Sequence, residues 1–197
     1  MSEEGVIYQL KLTVRDIKPP IWRRILVSSD TTLQILHRAI QILMDWYDYH
    51  LYQFAIQGMA YAPRHEDDDM FGPPPKSVTR KLDAVFQGDL KSIDYEYDFG
   101  DGWEVSIRLE KVINGLKPPQ PVLCVAGKRR GPLEDSGGPY GYVEKLEILE
   151  DPNSAEYQEI AEWIPEDFDP EEFDIDQTNE LLSSLNREKT RGKKGNR

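Results

Sequence analysis

Apolar and polar residues alternate along much of the chain, and the changes of period mark its elements. Val6, Tyr8, Leu10, Leu12 and Val14 recur at every second position, which predicts a strand with one buried face. Asp16 to Pro20 ends it, since two prolines cannot continue a ladder. Ile21 to Val27 (I-W-R-R-I-L-V) is a second strand in hairpin with the first. Trp22 and Arg24 share one of its faces, and Ile21, Arg23, Ile25 and Val27 share the other. One arginine must therefore emerge among apolar neighbours. Either it snorkels past Trp22, or it is a cation aimed at an acidic face.

Ser28-Ser29-Asp30-Thr31 supplies helix-capping residues, with Thr31 and Gln34 at capping-box spacing. Leu33, Leu36, Ile40, Leu43, Met44 and Tyr47 then recur at helical spacing, predicting an amphipathic helix from Thr32 to about Trp46. His37, at the edge of that stripe, reads as a packing or surface histidine. His50, Tyr52, Phe54 and Ile56 alternate as a third strand stopped by Gly58, and Met59 to Ala62 is a short strand. Pro63 to Lys76 is a loop holding H-E-D-D-D (His65 to Asp69) and F-G-P-P-P (Phe71 to Pro75). Adjacent aspartates lack the spacing of a calcium loop, so this is a solvated segment. Ser77 to Phe86 reads as a strand end and a short helix.

The central feature is Ile93 to Leu109. Ile93, Tyr95, Tyr97, Phe99, Trp103, Val105, Ile107 and Leu109 lie on one face, interrupted by Gly100-Asp101-Gly102. A three-residue turn fits that spacing and would set Phe99 opposite Trp103, Tyr97 opposite Val105, Tyr95 opposite Ile107 and Ile93 opposite Leu109. On the other face Asp98 would oppose Glu104, with Glu96 nearby and Asp101 at the tip. Like charges directly opposite destabilise a sheet. Either the face is simply solvated, or a basic side chain, a cation or a partner offsets it.

Asn114 to Pro121 is a turn, and Pro121 to Ala126 a short strand containing Cys124. Gly127 to Gly141 (G-K-R-R-G-P-L-E-D-S-G-G-P-Y-G) cannot be helix or regular strand. Segments of this kind inside a domain are usually functional or disordered, and the flanking Cys124, Tyr140 and Tyr142 favour order. Lys128, Arg129 and Arg130 are candidates to neutralise Asp98 and Glu104. Tyr142 to Glu150 and Ser154 to Trp163 read as helices, and a third begins at Asp169 or Pro170 and runs through Leu185. The fold class is α+β: an antiparallel or mixed sheet of about five to seven strands, one main helix packed on it, and a helical C-terminal part from about residue 142. Residues 1–185 are expected to form one domain, and 186–197 a disordered basic tail.

Charge narrows the functional classes. The chain of 197 residues carries a net charge of −12, which opposes general nucleic-acid binding. From Arg187 onward stand six basic residues and one acid, so the tail is +5 and the rest −17; any nucleic-acid contact would go through the tail. No apolar run approaches membrane-spanning length, and M-S-E-E-G is not a secretory signal. The single cysteine excludes an intrachain disulfide and fits a reducing cytoplasm. No cofactor motif is present, so none is expected.

Five motifs occur in one order: I-K-P-P-I-W-R-R (Ile17 to Arg24), the helix after it, H-L-Y-Q-F (His50 to Phe54), Y-D-F-G-D-G-W (Tyr97 to Trp103) and G-P-L-E-D-S-G-G-P-Y-G-Y (Gly131 to Tyr142). Together they resemble the plasmid pRiA ORF-three-like family, also named for the TnpR passenger protein of an insertion element, from about residue 6 to 185. The resemblance implies a mixed α+β domain and no defined chemistry; no serine-recombinase pattern accompanies the TnpR label. Many members resemble C-x-x-G-x-R-x-C-P-P-E-D-C-G-G in the glycine-rich segment, with histidines at the positions of Val105 and Tyr52. Such a set could form a zinc site in relatives. This chain keeps only Cys124 and His50 of it, with Gly131 and Ser136 at the other cysteine positions, so a structural zinc site is not expected.

The reading is a binding or interaction module with a site between the 97–104 hairpin tip and the 127–142 segment, for an unknown protein or small-molecule ligand. Its candidate residues are Trp22, Arg24, Tyr97, Asp98, Asp101, Trp103, Glu104, Arg129, Glu134, Asp135 and Tyr140. The alternatives are a divalent-metal hydrolase or nuclease using clustered carboxylates, with Asp98 and Glu104 as weak metal candidates, and a mobile-element-associated nucleic-acid-binding protein. Ser/His/Asp catalysis has no supporting pattern.

Overall fold

The alternating segments pair into one seven-stranded sheet. In the computed structural model, which describes residues 5–64, 74–115 and 120–185, the strands are β1 (Val6–Val14), β2 (Trp22–Ser28), β3 (Tyr52–Ile56), β4 (Met59–Tyr61), β5 (Ser92–Tyr97), β6 (Trp103–Asn114) and β7 (Val122–Lys128). Their spatial order is β4-β3-β5-β6-β1-β2-β7, and every pairing is antiparallel. The helices are α1 (Leu33–Met44), α2 (Leu82–Val85), α3 (Gly138–Glu150), α4 (Tyr157–Trp163) and α5 (Ile175–Ser183). This is the expected α+β class. The acidic run His65 to Asp69, Phe71 and the basic tail lie outside the described residues.

One sheet face is apolar because the period-two residues of each strand point the same way. Leu10, Leu12, Ile25, Val27, Phe54, Ile93, Tyr95, Val105 and Ile107 are buried there. Helix α1 lays Leu33, Leu36, Ala39, Ile40, Leu43 and Met44 into the same core. Its cap is Thr32, one residue later than expected, whose side chain accepts from Ile35 N–H. The opposite face is polar. There Arg24 pairs with Glu110 at 2.7 Å and also sits near the Trp22 ring, as does Lys11.

The central hairpin corrects the expected register. Tyr97 faces Trp103, Tyr95 faces Val105 and Ile93 faces Ile107, so the loop is 98–102 rather than three residues. A shift of two keeps the same side chains on the apolar face, so period alone could not separate the two registers. The longer loop is closed by Asp98. Its backbone is left-handed (φ 55°), its carboxylate accepts from Gly100 N–H (3.0 Å) and Asp101 N–H (3.4 Å), and its carbonyl accepts from Gly102 N–H. Phe99 consequently leaves the core and is half exposed.

The like-charge pair on the open face is therefore Glu96 opposite Glu104, not Asp98 opposite Glu104. Arg15 bridges Asp94 and Glu104, and the Gln53 amide donates to Glu96. These contacts offset the repulsion, so neither Arg24 nor the 128–130 cluster is needed for it. Arg129 instead pairs with Glu171 and donates to the Pro19 carbonyl, and Arg130 pairs with Asp45.

At the far edge of the sheet the exposed strand β7 is covered. The Asn179 side chain of α5 accepts from Cys124 N–H (2.8 Å) and donates to Cys124 C=O (2.9 Å). Its amide takes the place of one further strand residue at an edge that would otherwise be open. The C-terminal part is helical as expected, with α3 beginning at Gly138 instead of 142 and α5 at Ile175 instead of 169 or 170. The first difference follows from Pro139, which is compatible with a first helical turn.

Candidate functional site

Three segments converge where the glycine-rich stretch leaves β7: the α1–β3 connection (45–51), the hairpin loop (98–102) and residues 129–138. Glycines set the approach. A Cβ on Gly131 would stand 1.7 Å from the Met44 carbonyl oxygen, and one on Gly138 (φ +70°) would stand 2.2 Å from the Asp101 carbonyl oxygen. Both positions need glycine for the backbones to touch.

Polar contacts tie the junction together. The Tyr97 hydroxyl donates to Glu134 and accepts from Tyr49 N–H (3.1 Å) and His50 N–H (3.4 Å), which uses its full hydrogen-bonding capacity. The other Glu134 oxygen accepts from Tyr47 N–H, and Asp101 accepts from Gly137 N–H. Burial, with help from Glu134, pushes the Tyr97 hydroxyl well above its usual range, so it is a fixed neutral donor. Beneath it Trp46 stacks on Tyr97 (4.9 Å), contacts Trp103 and donates its indole N–H to Pro132 C=O.

On this floor His50 Nε2 lies 3.6 Å from Asp98 Oδ2 and 3.5 Å from Asp135 Oδ1. One ligand atom from each of the three residues falls within 4.8 Å of the others. Asp98, Asp101, Glu134 and Asp135 bring four carboxylates to the junction. Among the described residues no lysine or arginine forms an ion pair with any of them. Exposed aromatics stand on or next to these segments: Tyr47 and Tyr49, stacked at 5.7 Å, Phe99, and Tyr140 in the first turn of α3.

The candidate residues thus divide. Tyr97, Asp98, Asp101, Glu134 and Asp135 meet, and Trp103 underlies them. Tyr140 follows Gly138 and is exposed. Trp22 and Arg24 lie on the open sheet face, Glu104 is with Arg15 on that face, and Arg129 is committed to Glu171. Glu104 is therefore no partner of Asp98 in holding a cation. His50 is the residue left out of the candidate set. Its signal was visible, since it opens H-L-Y-Q-F, but strand alternation assigned it to a face and not to a site. Cys124 is buried, and burial pushes its thiol up to about 11; it is not an activated nucleophile.

The model of the plasmid pRiA4b ORF-3-like protein family matches residues 6–177. An uncharacterized protein, y4hQ, of Sinorhizobium fredii (strain NBRC 101917 / NGR234) is 35% identical over 181 residues, 91% of this chain and 92% of its own. The crystal structure of a protein of unknown function, MM3350 from Methanosarcina mazei Go1, superposes with a TM-score of 0.79 at 40% identity, covering 88% of this chain and 97% of its own. No described helix is long and apolar enough to cross a membrane. Match, coverage and fold agree, and the chain belongs to the plasmid pRiA4b ORF-3-like family.

Proposed function

We propose that the protein is a binding module whose junction of the 45–51, 98–102 and 129–138 segments receives a cationic side chain of a partner protein. The observation that carries this is the set of four carboxylates with His50 beside two of them and no lysine or arginine ion-pair partner among the described residues, framed by exposed Tyr47, Tyr49, Phe99 and Tyr140. Aromatic faces attract cations, and aromatic residues are enriched where proteins bind. An acidic, aromatic surface therefore selects Lys or Arg flanked by apolar residues. The test is a panel of short peptides varying in Lys, Arg and apolar content, titrated against wild type and Tyr49→Ser/Phe99→Ser. Basic-apolar peptides should bind, and the double variant should bind them about tenfold or more weakly with an unchanged melting point. Equal binding by both proteins, or preference for acidic peptides, sinks the reading.

A second reading rests on the His50–Asp98–Asp135 convergence. One imidazole and two carboxylates suit a divalent transition metal. Melting with added Zn²⁺ or Mn²⁺ reads it out, because a ligand of the folded state raises the midpoint. A rise that is lost in His50→Ala supports it, and no rise with either metal removes it.

A further inference from the structure

Arg23 is the arginine that its strand pattern forces inward, and it is 1% exposed. Among the described residues its guanidinium donates to neutral carbonyls alone. Nε donates to Leu43 C=O (2.8 Å), and Nη1 to Trp22 C=O (2.9 Å) and Lys128 C=O (3.1 Å). The Phe173 ring covers it at 3.7 Å. No carboxylate of a described residue forms an ion pair with it, and the Asp45 carboxylate nearby is taken by Arg130 at 3.1 Å. A buried charge normally finds a counter-charge, since its desolvation is otherwise uncompensated. Nη2 makes no hydrogen bond to a described residue, which leaves it available.

Arg23 lines a cavity of about 360 Å³ between the end of α1, the glycine-rich segment and α5. That is the size of a small-molecule site. Thr178 and Gln177 of α5 add polar atoms, and exposed Asp167 and Glu172 stand at the rim. Asp45, Arg130 and Asp174 line it as well, Arg130 being paired with Asp45, so the cavity is cationic at its buried wall and net acidic at its mouth. A multiply charged anion would be repelled by the mouth, and a plain cation by the wall.

We infer that this cavity binds a small zwitterion of the amino-acid class, its carboxylate on Arg23 Nη2 and its ammonium group at Asp167 and Glu172. The site is separate from the junction and does not rest on the reading given for it. Burial has already lowered the guanidinium to about 10, so a carboxylate there would strengthen the charged form. Charge-assisted hydrogen bonds of this kind are the stronger ones.

The test is calorimetric titration and thermal melting of the full chain with the standard amino acids one by one, with acetate and methylammonium as half-ligands. At least one amino acid should bind and raise the melting point, and each half-ligand should bind about tenfold or more weakly. Arg23→Met should abolish the binding. Should that variant fail to fold, Asp167→Asn/Glu172→Gln, which changes only exposed positions, must weaken the amino acid and leave acetate unaffected. No shift with any amino acid at about 10 mM, wild-type affinity in Arg23→Met, amino-acid affinity unchanged in the rim variant, or acetate binding as well as the zwitterion overturns the inference.

Discussion

At position 98 the chain is left-handed and the carboxylate closes the hairpin loop while also facing His50. Asparagine tolerates that backbone and keeps the accepting oxygen, whereas alanine has neither property. Asp98→Asn should therefore cost less than about 1 kcal/mol and Asp98→Ala about 1–3 kcal/mol, read from urea unfolding. Equal losses would contradict the loop-closing role. His37 makes a pH prediction. Its Nδ1 accepts from the Tyr95 hydroxyl, its Nε2–H donates to Asp48, and its ring stacks on Tyr52 at 3.4 Å. Burial holds it down to about 4 from 6.5, although Asp48 pulls the other way. Between these values the unfolded chain binds a proton that the folded chain does not. Stability must fall as the pH drops from about 6.5 to 4, by roughly 3 kcal/mol at most. Glu110, lowered to about 2 by Arg24, acts in a lower window, its stabilisation being lost as the pH falls from 4.5 through 2. Denaturant melts of His37→Gln should lose the slope between pH 6.5 and 4 and keep the steeper acid fall. An unchanged slope would move the effect elsewhere.

Among the elements, the glycine-rich segment is a docked strap and its contacts are backbone on backbone. Gly131→Ala has no room beside the Met44 carbonyl, so it should destabilise by about 2 kcal/mol or more in a denaturant melt; a neutral result would mean the strap does not pack there. Asn179→Ala should uncover one N–H and one C=O of β7, costing about 1–3 kcal/mol and promoting association through the edge, which gel filtration would show. The elements themselves were legible because their periods were strong: the alternation of β1, β2 and β5 and the 3.6-residue stripe of α1 locate them within a residue or two, and β6 starts where expected but runs five residues beyond Leu109, to Asn114. The hairpin register was not legible. Both loops keep the apolar face intact, and only the side chain of Asp98 chooses between them. The partners of Arg129 and Arg130 were not legible either, because Glu171, Asp45 and Asp167 come from segments remote in sequence. The face pattern sets Arg23 among apolar neighbours, yet the candidate set holds Arg24 and not Arg23.

Over the whole molecule the two sheet faces are unequal. The open face balances its own charges through Arg15, Arg24 and Gln53, whereas at the junction Asp98 and Asp135 face one histidine and Asp101 and Glu134 have neutral hydrogen-bond donors. On the reading proposed above, a chain of net charge −12 with acids gathered among exposed aromatics would attract a cationic partner. Salt should therefore weaken that association, and its on-rate most. The most direct measurement is chemical-shift mapping of the tightest-binding basic-apolar peptide on the isotope-labelled chain. The account predicts that the perturbed amides fall in 45–51, 98–102 and 129–138 and at Tyr140, with the β1–β2 open face unchanged. Perturbations centred on Trp22, Arg24 and Glu110 instead would contradict it and make the open sheet face the binding surface.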